Sequence, residues 1–138
     1  MVIDLPSITL KQNDMNNHKK FGVWMDTHQA TIVAGNDDAE NGTPVVLAHI
    51  KGEEVSPNSS EKNENNQKKT AQSKFFKEIT TQLQNATHLH ITGTGQVQEQ
   101  FIHYLAETPQ FKNTITQEST SNKMSDEKLV AFFSDKLN

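Results

Sequence analysis

Residues 21–34 constrain the fold of this chain more than any other stretch: two apolar, β-branched-rich runs flank a short polar corner. Phe21, Val23 and Met25 alternate with Gly22, Trp24 and Asp26, so apolar side chains fall on both sides of the first run. That pattern predicts a strand buried on both faces. Thr27, His28 and Gln29 form the turn, and residues 30–34 return antiparallel to it. A polar cluster over 35–42, closed by Pro44, then leads into a third strand beginning at Val45-Val46-Leu47-Ala48.

Residues 51–70 contain four Lys (51, 62, 68, 69), four Glu (53, 54, 61, 64) and no apolar side chain after Val55, which predicts a flexible loop. From Ala71 the period becomes helical, with Phe75, Ile79 and Leu83 on one stripe and Phe76 beside it. Residues 87–92 read as a strand ending in Gly93-Thr94-Gly95, and residues 96–107 as a helix burying Val97, Phe101, Ile102 and Leu105. Pro109 stops that helix, and residues 111–118 are expected to form a fifth strand. Ser125 is placed to cap a last helix, with Asp126 and Glu127 in its first turn and Leu129, Val130, Phe133 and Leu137 facing inward.

The order is therefore βββ-loop-αβαβα, which predicts an α/β fold of the ribonuclease H-like type: a mixed sheet covered by helices. The length of 138 residues suits one small domain, here residues 21–138. Only 33% of residues are hydrophobic and mean hydropathy is -0.72, so part of the chain is expected to lie outside the core. Residues 51–70 are one such part, and residues 1–20, read as a disordered tail, are the other. Met15 offers a second start site, in which case residues 1–14 need not be structured.

Composition narrows function by exclusion. Net charge is -4 and every Lys/Arg position is lysine, so the bidentate guanidinium that reads guanine and phosphate is missing. That argues against a DNA-binding role. Without cysteine there is no thiol nucleophile, disulfide or cysteine-ligated zinc. No apolar run is long enough to cross a bilayer and no signal-peptide pattern opens the chain, so a cytoplasmic location without a membrane partner is expected.

The strand opening Phe21-Gly22-Val23-Trp24-Met25-Asp26, the run Gln29 to Val33, and Leu89-His90-Ile91-Thr92-Gly93-Thr94-Gly95 ahead of an amphipathic helix resemble the middle domain of the archaeal and eukaryotic class I release factors and Pelota. They resemble small bacterial proteins related to that domain more closely still. The resemblance implies a translation-associated protein that binds the ribosome, a tRNA or a translation factor. In release factors the loop before the first helix carries a Gly-Gly-Gln tripeptide that positions water for peptidyl-tRNA hydrolysis. The corresponding residues 51–70 hold Gly52 alone, and Gln67 follows Asn65 and Asn66, which reach positive φ less cheaply than glycine. The hydrolase activity is therefore not carried over, and the chain reads as a non-enzymatic binding protein without a cofactor.

Lys62, Lys68 and Lys69 are the candidate RNA or partner contacts. Glu53, Glu54, Glu61 and Glu64 offset their charge, so such binding would be weak and salt-dependent. The competing class is an enzyme. Asp26 stands where a ribonuclease H-like nuclease places its first metal carboxylate, with Glu78 as the other candidate, although two-metal chemistry needs more converging carboxylates. Asp26 also suits a hairpin corner, where it would accept backbone hydrogen bonds. His88 and His90, two apart on a strand, could share a metal with His49 or His103. Gly93-Thr94-Gly95 would aim amides at an anion or simply make a tight turn, and it matches neither phosphate-binding fingerprint. A third class is a protein-interaction module that uses a sheet edge or the 51–70 segment without RNA.

Overall fold

The structure is a computed structural model that describes residues 19–35, 44–52 and 61–137, with the side chains of 61–68 outside the description. Five strands form one sheet in the order β3-β2-β1-β4-β5: β1 (Lys20–Met25), β2 (Gln29–Ala34), β3 (Val45–Lys51), β4 (His88–Gly93) and β5 (Ile115–Thr120). The first three strands are an antiparallel meander, while β4 runs parallel to β1 and β5 parallel to β4. Parallel neighbours need crossovers, supplied by α1 (Glu61–Thr81) and α2 (Gln96–Ala106). The chain ends in α3 (Asp126–Lys136). This is the expected mixed α/β sheet, consistent with the ribonuclease H-like arrangement.

β1 occupies the centre of the sheet, and its alternation divides the core. Phe21, Val23 and Met25 join Ile32, Leu89 and Ile91 beneath α1 and α2, where Phe75, Phe76, Ile79, Phe101 and Leu105 close the layer. Trp24 and Val33 face the other way, onto Leu129, Phe133 and Leu137 of α3. Position 22 shares this second face with Trp24, and it is a glycine where a Cβ would run into the Phe133 ring. The Ser125 cap forms as expected, its Oγ accepting from the Lys128 N–H at 3.2 Å.

Three boundaries differ from expectation. α1 begins at Glu61, so ten residues read as loop are helical. Glu, Lys and Gln are good helix formers and no Gly or Pro interrupts 61–81, but the first two turns offer no apolar stripe to reveal the helix. Phe111 ends a short 3₁₀ turn, Pro109–Phe111, and is buried in the core; the fifth strand starts four residues later, at Ile115. Proline at the head of this turn fixes φ for a helical rather than extended start. Finally, Lys19 and Lys20 belong to the fold rather than a tail: Lys20 opens β1, and the Lys19 carbonyl accepts from the Thr87 N–H at 2.8 Å. The rest of the expected tail, Met15 included, lies outside the described residues, as do 53–60. No described helix is long and apolar enough to cross a membrane.

Candidate functional site

The β1–β2 corner is held by Asp26, whose Oδ1 accepts from the backbone N–H of His28 at 2.8 Å and of Gln29 at 2.9 Å. The carboxylate serves as the turn residue, with Oδ1 already bonded to two amides. Glu78 is an exposed residue of α1. Among the described residues no three His, Asp or Glu side chains converge well enough to hold a metal ion. Asp26 and Glu78 belong to no such group.

The histidines are likewise dispersed. His49 sits on β3 and pairs with Asp126 at the start of α3, Nε2 to Oδ2 being 2.9 Å between two exposed side chains. His103 is exposed on α2, across the sheet. His88 and His90 share the α3 face of β4, as their spacing requires, and each has local partners: His88 Nδ1 meets Thr87 Oγ1 at 3.0 Å, and His90 Nε2 meets Ser119 Oγ at 2.8 Å. His90 is buried between β4 and α3, edge-on to the rings of Phe132 and Phe133. Burial pushes its pKa below 6.5; the nearby Gln117 amide opposes that shift and the Lys136 ammonium adds to it.

At the opposite end of β4, the Gly93-Thr94-Gly95 turn is a close-packed junction. A Cβ on Gly93 would strike the Met25 carbonyl, and Gly95 has φ +154°, which side-chain-bearing residues rarely adopt. The Gly95 N–H donates to Gln98 Oε1 at 2.8 Å, while Gln98 Nε2 donates to the Ser119 carbonyl at 2.9 Å. A side chain of the helix thus takes the amide that an anion would have used. Sequence reasoning missed Gln98; a glutamine three residues after a helix cap was the available signal.

Of the lysines proposed to meet RNA, positions 62 and 68 fall in the first half of α1 and Lys69 is exposed on it. Their carrier is thus a helix rather than a loop. A feature that sequence reasoning did not single out lies between β1, β4, β5 and the end of α3: a cleft of about 180 Å³ lined by Lys20, His88, His90, Gln117 and Lys136 among others.

No family model matches the chain, and no curated protein matches its sequence. Solved structures do share its fold. Pelota from Thermoplasma acidophilum superposes with a TM-score of 0.57 at 18% identity, over 85% of this chain and 32% of that one. Pelota from Archaeoglobus fulgidus gives 0.52 at 14% identity, and the archaeal translation termination factor aRF1 gives 0.54 at 13%; each covers 88% of this chain and 35% of the other. The chain spans about a third of the length of these structures. At such identities the likeness is one of fold: this sheet and its helices are arranged as in part of Pelota and of aRF1.

Proposed function

We infer that this chain is a non-catalytic translation-associated protein whose folded unit corresponds to the middle domain of Pelota and the class I release factors. It binds the ribosome, a tRNA or a translation factor without hydrolysing peptidyl-tRNA. The observation that carries this reading is the shared fold with two Pelota proteins and a translation termination factor over more than four-fifths of the chain. Fold alone does not fix function, so the site must be consistent as well. Two observations support the reading: Asp26 Oδ1 accepts two amide hydrogen bonds within the hairpin corner, and no Gly-Gly-Gln tripeptide occurs in the sequence.

In this reading the contacts to RNA come from the amino-terminal half of α1, through Lys62, Lys68 and Lys69. Glutamates at 61 and 64 alternate with them, so affinity is modest and falls steeply with salt. Co-sedimentation with ribosomes at low salt tests the proposal. Wild type is expected in the pellet, and the triple variant Lys62→Glu, Lys68→Glu, Lys69→Glu in the supernatant. Wild-type protein that stays in the supernatant at low salt would sink the proposal.

A further inference from the structure

The cleft beside α3 reverses the charge of the molecule. It opens where the first residues of β1 and β4 meet the last turn of α3, and its lining contains Lys20, His88, His90 and Lys136 but, among the described residues, no Asp or Glu side chain. In a chain of net charge -4, two ammonium groups and two imidazoles thus line one small space. Strand pairing enforces part of this, because Lys20 and His88 are direct partners across β1 and β4. Two ammonium groups, those of Lys20 and Lys136, gathered in one cleft with no ion pair of their own among the described residues raise the local potential and favour an anionic occupant.

A second, independent observation comes from His90, which is 6% exposed. Ser119 Oγ donates to Thr92 Oγ1 at 2.9 Å, and Thr92 Oγ1 lies 2.8 Å from Ser121 Oγ. Since the Ser119 proton is given to Thr92, Ser119 accepts from His90, and Nε2 carries the ring proton. Nδ1 then presents a lone pair, and it is buried with no hydrogen-bond partner. Gln117 lies near enough to favour the charged ring yet makes no such bond in regular geometry. An orphaned buried nitrogen is costly and calls for an explanation. Protonated, Nδ1–H would have the Gln117 carbonyl as its acceptor, turning the amide N–H₂ group toward the cleft.

We propose that this cleft is a phosphoryl-binding site, with Lys20 and Lys136 as counter-charges, the Gln117 amide as a donor, and His90 as a proton-linked support beneath it. A doubly charged tetrahedral anion matches two separated ammonium groups better than a carboxylate does. The volume admits a phosphate with part of what carries it, and is below the roughly 300 Å³ at which drug-sized ligands are held. The site does not depend on the translation reading: phosphoryl binding without ribosome pelleting, or the reverse, separates the two.

The test is a titration of the intact chain, followed by backbone and imidazole NMR, with inorganic phosphate and with adenosine monophosphate at constant ionic strength. Saturable shifts centred on Lys20, His88, His90 and Gln117 are expected. Tighter binding of the nucleotide identifies a phosphate carried on an organic group, and equal or weaker binding identifies the free ion. Lys20→Gln and Lys136→Gln should each weaken binding about tenfold while leaving Trp24 fluorescence unchanged. Titratable neighbours of the ring in the cleft are Lys20 on β1, His88 on β4 and Lys136 on α3, with uncharged Gln117 on β5. An anion among them should therefore raise the pH at which His90 titrates; sulfate shows this without a charge change of its own. Shifts that chloride or acetate reproduce, that centre elsewhere, or that survive both lysine substitutions would overturn the proposal.

Discussion

The two faces of the sheet are built on different terms. Beneath α1 and α2 the core is a continuous apolar layer, with Phe76 edge-on to Phe101 at 5.1 Å and to Tyr104 at 5.5 Å. Beneath α3 five buried residues, Trp24, Val33, Leu129, Phe133 and Leu137, share the space with buried His90 and Thr92. Among the described residues, both buried side-chain nitrogens that lack a partner, Trp24 Nε1 and His90 Nδ1, belong to this face. Polar side chains are buried on the α1 and α2 side too, but Thr80 and Gln98 there are hydrogen-bonded. The contrast lies in the two nitrogens that the α3 face buries without a partner, which packing alone would not select. The chain carries its own probes of the difference. Its single tyrosine, Tyr104, is on α2, and its single tryptophan, Trp24, lies under α3.

The largest expected effect is on the packed face. Phe101 is fully buried, so Phe101→Ala should cost about 3–5 kcal/mol in denaturant unfolding and move the Tyr104 and Trp24 transitions together. Leu129→Ala on the other face should cost roughly 2 kcal/mol, the low end for such a cavity. α3 takes no part in the strand pairing, and its opening without the sheet is expected to be reported by Trp24 before the backbone signal falls. Equal costs with coincident transitions would erase the distinction between the faces.

Gly22→Ala attacks the α3 face by excess rather than loss. The new methyl meets the Phe133 ring, and overpacking of this kind costs about 1–3 kcal/mol. Combining it with Phe133→Leu should recover part of the loss, whereas strict additivity would show that the two residues do not share the space. Ser125→Ala is milder: it removes one cap hydrogen bond and should cost about 1 kcal/mol, read as weaker docking of α3 by Trp24.

How far these faces were legible in the sequence depended on what marks each one. Alternation around Val23 and Trp24 announced a strand buried on both sides, and the stripes through Phe75 and Phe101 gave the helices of the packed face. Ser125 likewise announced α3. By contrast, the first turns of α1 carry no apolar side chain, so a helix at 61–70 left no periodic trace and read as a loop. Phe111 was apolar enough to suggest a strand, but the preceding proline turned it into a buried corner. The basic cleft was hidden for a different reason. Lys20, His90, Gln117 and Lys136 are scattered along the chain; the parallel pairing of β1, β4 and β5 brings the first three side by side, and the end of α3 adds Lys136. Asp26 was legible as a turn residue, and the two amide hydrogen bonds to its Oδ1 show it in that role.

The smallest effect, and the most specific to the α3 face, is a pH dependence. Burial lowers the folded-state pKa of His90 from 6.5, so below that pH the unfolded chain binds a proton more readily than the folded one. Stability is then fully present above pH 6.5 and is lost as pH falls from there through the folded-state pKa. Denaturant midpoints measured across this window should decline toward acid, and His90→Gln should flatten the decline because its amide can still donate to Ser119 without taking up a proton. Sulfate should act in the same direction as the substitution if it enters the cleft, since a bound anion restores the charged ring. A decline that persists unchanged in His90→Gln would assign the acid sensitivity to groups elsewhere and remove this ring as a distinguishing feature of the α3 face.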